Sequence, residues 1–258
     1  MRRLLVSAAV ALAACSVVYA QVPLQVDGRA SELPIRIAAA PFASSDSTAS
    51  VAVVVEIPTG TLKSSDGAGG AAPRVRLSVG FYDRDGRSVG GADPMLELSD
   101  GDGDVLRSVS WIAIPPGVYR LWAAAVQTPA GISGSVMTDV EIPDFRRPRL
   151  ALSGLTVSSR ATPLASREFA ADGELFLYGE IYDRRVVSGQ IRATVRIRSR
   201  GGTLVYETPF EPISATAGHQ AYIPLKHLGT GAFVATVEVI SVTRGRTAAA
   251  RSVAFRVR

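Results

Sequence analysis

Asp100-Gly101-Asp102-Gly103-Asp104 sets three carboxylates at alternate positions. Oxygen donors at that spacing suit Ca²⁺, which takes about six to eight oxygen ligands. As an EF-hand loop the segment fails twice. Val105 stands where a glycine should turn the chain, and Trp111 stands where a bidentate glutamate should close it. The competing reading is an acidic, glycine-rich surface turn. No other cofactor is suggested, so calcium at Asp100, Asp102 and Asp104 is the one candidate.

A second cluster is basic. Arg192, Arg196, Arg198 and Arg200 alternate with Ile191, Val195 and Ile197. On a strand the arginines would share one exposed face, a surface for a polyanion. Glu180 and Glu238 on neighbouring strands would turn that face into cross-strand ion pairs instead. Few aromatics interleave with the arginines, which argues against single-stranded nucleic acid.

Nothing assembles a catalytic centre. His219 and His227 are eight residues apart with no carboxylate cluster beside them. No serine stands in Gly-x-Ser-x-Gly. The expectation is therefore no enzyme, with a hydrolase using an unrecognised acid pair as the lesser alternative. Trp111, Tyr119 and Trp122 are expected in strand packing rather than in a sugar-binding platform. Tyr82, Tyr178 and Tyr182 are read the same way.

Cys15 is the only cysteine in 258 residues, which excludes a disulfide framework. It lies inside an address signal. Met1-Arg2-Arg3 is a basic start, and Leu4 to Val18 carries no charge. That pattern is a secretory signal over residues 1–20, too short for a span of about 20 apolar residues. Two endings fit. Val18-Tyr19-Ala20 allows cleavage before Gln21, whereas Leu12-Ala13-Ala14-Cys15 is similar to a lipobox with Cys15 lipidated. Either route exports the chain to the periplasm, outer membrane or exterior of a bacterium.

The elements that must position these residues read as strands. Val75, Leu77, Val79 and Phe81 alternate with Arg74, Arg76 and Ser78. Val51 to Ile57 is a β-branched run that reads as a strand buried on both faces. Asp83-Arg84-Asp85-Gly86 supplies a turn. Strands at a spacing of about 8–12 residues argue for β-sandwiches. The pattern also occurs twice. Arg74–Val79 matches Gln190–Val195, Asp85-Gly86 matches Gly201-Gly202, Gly117-Val118-Tyr119 matches Gly231-Ala232-Phe233, and Glu56-Ile57 matches Glu180-Ile181. The expected fold is all-β, with two tandem immunoglobulin-like (fibronectin-III-like) antiparallel sandwiches. They span residues 21–145 and 146–258 and meet at a proline-flanked, semi-rigid elbow, Pro143 to Pro148.

Five segments occur in one order: Pro115–Leu121, Gly134–Val136, Val140–Phe145, Leu150–Leu155 and Glu174–Asp183. Together they resemble the C-terminal tandem β-sandwich region of exported acidobacterial VWFA-related domain proteins. In that family a von Willebrand A domain carries a metal-dependent adhesion site, and these 258 residues hold no such domain. Asp46-Ser47-Thr48-Ala49-Ser50 is similar to its metal loop but lacks the preceding buried strand, so adhesion does not carry over.

The overall charge of +5 hides an asymmetry. Residues 21–145 hold nine basic and fifteen acidic residues, a net of −6; residues 146–258 hold seventeen and eight, a net of +9. The chain is a charge dipole, which weakens any nucleic-acid reading and suggests either docking of one sandwich on the other or head-to-tail association of neighbouring molecules. The expected function is a non-enzymatic binding or structural module of the cell envelope, with an envelope protein or glycan as partner. The alternative is a carbohydrate- or polyanion-binding module.

Overall fold

The computed structural model describes residues 20–21, 32–44, 47–63, 74–97, 103–128, 130–146, 150–159, 163–183, 191–213, 217–241 and 246–258. Cys15 and residues 1–19 of the signal segment therefore lie outside the described residues, as does Asp46 of the Asp46–Ser50 loop. The alternation seen in the sequence becomes strands almost throughout. The described residues hold two one-turn 3-10 helices and no longer helix.

The bridge β1 (Ala20–Gln21) runs parallel to the last strand. The first sandwich then follows in order: β2 (Arg36–Ala43), β3 (Ala49–Pro58), β4 (Arg74–Tyr82), β5 (Ser88–Ala92), β6 (Met95–Glu97), β7 (Val105–Ile114), β8 (Gly117–Thr128) and β9 (Ser133–Ile142). One sheet has the order β2-β3-β7. The other has β5-β4-β8-β9, with β6 beside β4. All of these pairings are antiparallel.

The second sandwich comprises β10 (Leu150–Leu152), β11 (Thr156–Ser158), β12 (Glu168–Phe169), β13 (Glu174–Asp183), β14 (Ile191–Ser199), β15 (Leu204–Pro209), β16 (Glu211–Pro212), β17 (Gly218–Pro224), β18 (Gly231–Ser241) and β19 (Arg246–Val257). Here β10 and β11 pair with β13, which pairs with β17; the opposite sheet has the order β19-β18-β14-β15. Both halves thus build the same arrangement. The first, second and fifth strands face the third, fourth, sixth and seventh, as in a fibronectin-III-like sandwich.

The matched sequence segments fall on equivalent strands. Arg74–Val79 lies on β4 and Ile191–Val195 on β14, the third strand of each copy. The matched turns each need a residue in the left-handed region, and glycine supplies it: φ is 77° at Gly86 and 85° at Gly202.

Each sandwich has its own core. Val53, Val55, Leu77, Phe81 and Leu121 meet in the first; Leu175, Leu177, Ile197, Val237 and Phe255 meet in the second. Burying side chains of this size contributes about 1.5–3 kcal/mol each before entropy is counted. β3 is buried on both faces, as its β-branched run indicates. Its inner face, from Val51 to Ile57, meets the first core. Its outer face, Ala52, Val54 and Glu56, is covered because the second sandwich lies against it.

Candidate functional surfaces

The structure separates the residues that the sequence singles out. Asp104 sits in an exposed turn just before β7, while Asp100 and Asp102 lie outside the described residues. Among the described residues no cluster of three or more His, Cys, Asp or Glu side chains could hold a metal.

Arg192, Arg196 and Arg198 lie on β14. Arg200 does not, because the strand ends at Ser199 and Arg200 opens the following turn. Arg196 is held between two strands. Its Nε donates to Glu207 Oε2 (2.8 Å) and its Nη1 to Glu238 Oε2 (2.7 Å). These carboxylates raise the Arg196 pKa above its ordinary value. Arg198 Nη1 donates to Gly202 O (2.9 Å). Pairing of the face through Glu238 is as expected, but Glu180 is on the opposite sheet and takes no part.

His219 belongs to β17, and its ring stacks on Phe210 at 5.8 Å. Nδ1–H donates to Ala217 O (3.0 Å). Burial pushes its pKa below the ordinary 6.5, against the smaller effect of that hydrogen bond. The unfolded chain therefore takes up the proton first as pH falls. Stability associated with His219 is expected to decline from about pH 6.5 downward, and His219→Gln to flatten that decline. Urea titrations at pH 7 and pH 5 check this; parallel losses in both proteins would assign the decline elsewhere.

The densest set of polar contacts is a seam between the sandwiches. Glu56, on the outer face of β3, is 0% exposed. Its Oε1 accepts Arg107 Nε (2.9 Å), and its Oε2 accepts the Ser166 N–H of the second sandwich (2.7 Å). Arg167 comes from the same side as Ser166. Burial pushes its pKa down to about 10, partly offset by the Glu56 charge. The acidic half thus meets the basic half at one buried carboxylate.

The equivalent glutamate of the second sandwich serves the seam from the other side. Glu180 accepts the Tyr178 hydroxyl at Oε1 (2.9 Å) and the Tyr182 hydroxyl at Oε2 (2.5 Å). Tyr182 Oη in turn accepts the Ala43 N–H of β2 (2.8 Å). Burial first, and then the Glu180 hydrogen bond, raises the Tyr178 pKa to about 12 and the Tyr182 pKa further, so both phenols stay protonated.

Phe145, in the elbow, packs edge-on against Tyr182 at 5.3 Å. Gly154 N–H donates to Pro41 O (2.7 Å), a backbone-to-backbone contact between the halves. The void left at the seam is about 10 Å³, room for about one water. None of these roles is assigned by sequence reasoning. The available signal was a glutamate repeated at matched positions, the first of them inside a run of valines.

Two tryptophans depart from the expectation of strand packing. Trp111 is 61% exposed on the outer face of β7 and leans on Phe42 at 5.5 Å. Phe42 contacts Tyr178 across the seam at 6.1 Å, and Tyr222, 59% exposed, stacks near Phe176 at 4.8 Å. Trp122, half-buried on β8, lines an open cleft of about 490 Å³ with Ser78, Gly80, Tyr82, Ser88 and Asp93.

No known sequence family matches the chain, and no curated protein does. Solved structures give partial superpositions. A biofilm-associated protein BSP domain is 19% identical over 86% of this chain, with a TM-score of 0.35; the chain spans 29% of that protein's length. The fibronectin(III)-like modules of Clostridium thermocellum CbhA are 13% identical over 80% of this chain and 85% of theirs, with a TM-score of 0.27. The C-terminal domain of the Streptococcus agalactiae AgI/II polypeptide BspA is 9% identical over 87% of this chain and 99% of its own, with a TM-score of 0.23. The class of protein is defined by the strand order itself, two fibronectin-III-like sandwiches in tandem.

Proposed function

We propose that the chain is an exported cell-envelope protein that acts without catalysis, as a binding and structural module. The observation that carries this reading is the seam. Two sandwiches with separate cores are held together by the Glu56 and Glu180 contacts, by Phe145 and by the Gly154–Pro41 contact. A pair joined in this way makes a stiff unit that presents sheet faces and loops at fixed distances, which suits a spacer or scaffold. Export rests on the first twenty residues. The kinship with acidobacterial VWFA-related proteins belongs to the same proposal. Fold alone does not define a function, and a second reading, carbohydrate binding, is favoured by the exposure of Trp111 and by the Trp122 cleft.

Cell fractionation with intact-mass measurement tests the export. The expected product starts at Gln21 in the periplasm or medium, or carries lipid on Cys15 in a membrane fraction. A cytoplasmic chain retaining Met1 would overturn the proposal. Small-angle scattering across a salt series tests the stiff unit. A radius of gyration unchanged by salt is expected, because the seam's charged and polar contacts are buried, where screening is weak. Expansion on adding salt would show the halves held only by long-range charge.

A further inference from the structure

We infer that the outer face of the β5-β4-β8-β9 sheet is a binding site for a neutral polysaccharide, with Trp122 and Tyr82 as its stacking platform. This rests on the reading of the chain as a binding module and names its ligand class.

The register builds the site. Gly80, Trp122 and Met137 lie side by side in one row across β4, β8 and β9, with Gly91 of β5 at its end. Tyr82, Arg120 and Asp139 form the next row. Two glycines keep the floor low. A Cβ on Gly80 would lie 3.0 Å from the Tyr82 ring, and one on Gly91 would lie 2.5 Å from Val79 O. The Tyr82 ring thus lies over bare backbone, beside the strand that carries Trp122, and the cleft opens between them.

The polar lining is uncommitted. The side chains of Ser78, Tyr82, Ser88, Asp93 and Trp122 make no hydrogen bond or ion pair within the described chain. A pyranose offers an apolar C–H face ringed by hydroxyl groups. The apolar face suits an aromatic ring, and the hydroxyls suit a hydroxyl- and carboxylate-lined rim. Charge narrows the choice further. Among the described residues Asp93 is the one charged side chain lining the cleft, and an anionic polymer seated there would meet its carboxylate, whereas a neutral one does not. The cleft is open rather than enclosed, as an extended chain requires.

Affinity electrophoresis of the mature chain tests this, in gels containing hydroxyethyl cellulose, a mixed-linkage β-glucan or galactomannan, with polygalacturonate as the anionic control. Retardation by at least one neutral polymer is expected. Trp122→Ala and Tyr82→Ala should weaken it about tenfold or more, the scale for losing an aromatic anchor. Asp93→Asn, at an exposed position that leaves the core untouched, should also weaken it, and Trp111→Ala should leave it unchanged. Far-UV circular dichroism shows whether the alanine variants remain folded, and Trp122→Phe, which keeps a ring, should retain part of the binding. No retardation by any neutral polymer overturns the inference. So does retardation by polygalacturonate alone, or retardation that survives all three cleft substitutions. Export and the stiff seam are measured independently, so those failures leave the structural module standing.

Discussion

Glu56→Ala is expected to lower the unfolding free energy by about 3 kcal/mol, the lower end of the range for breaking a buried ion pair from one side. The lower end applies because the Arg107 side chain is 27% exposed and recovers some hydration. Three groups lose their partner together. Arg107 Nε and the Ser166 N–H lose a carboxylate acceptor, and Arg167 loses the charge that offsets its burial. Glu56→Gln keeps an acceptor for Ser166 and should be milder. Replacing Glu56 and Arg107 together by leucine should recover only the part of the loss due to Arg107, since the Ser166 N–H and Arg167 still lack the carboxylate. Urea titration gives the numbers. A Glu56→Ala change below about 1 kcal/mol, the range of an exposed surface pair, would mean that the carboxylate is dispensable.

Gly154→Ala is expected to part the two sandwiches without unfolding either. A Cβ at Gly154 would lie 2.6 Å from Pro41 Cδ, 2.7 Å from Ala40 Cα and 2.8 Å from Pro41 N. Two of these atoms are backbone and the third is in a proline ring, so no side chain can swing away. Overpacking of this kind costs about 1–3 kcal/mol, and losing the Gly154–Pro41 hydrogen bond adds about 1 kcal/mol. Both losses fall on the seam, while the two cores remain intact. The expected result is an unchanged far-UV spectrum, a larger radius of gyration and a thermal transition split in two. A single transition with unaltered scattering would show that the seam tolerates the methyl group, and that the close approach there is incidental.

The fold was readable in the chain because its determinants are local. Alternation at Val75–Phe81 specifies a strand and its inner face, and Gly86 and Gly202 mark matched turns. The order of these segments repeats, so the second sandwich follows from the first. The functional surfaces were harder to read. The arginine row misplaced Arg200, because a strand's end is set by the turn at Gly201-Gly202 and by pairing with β15 rather than by alternation. It also drew in Glu180, because outward residues of the two sheets look alike until the sheets are assigned.

Glu56 and Trp111 show where sequence reasoning stops. Both point outward from the same three-stranded sheet, Glu56 from β3 and Trp111 from β7. By itself the sequence determined that the protein is all-β, duplicated and split into an acidic and a basic half, since strand period, turn chemistry and composition depend on neighbours along the chain. Only the tertiary structure decided that Glu56 would be sealed in a seam and Trp111 left in solvent. An outward side chain has the same local pattern whether water or another sheet lies over it. What covers it depends on a contact between residues more than a hundred positions apart, Glu56 with Ser166.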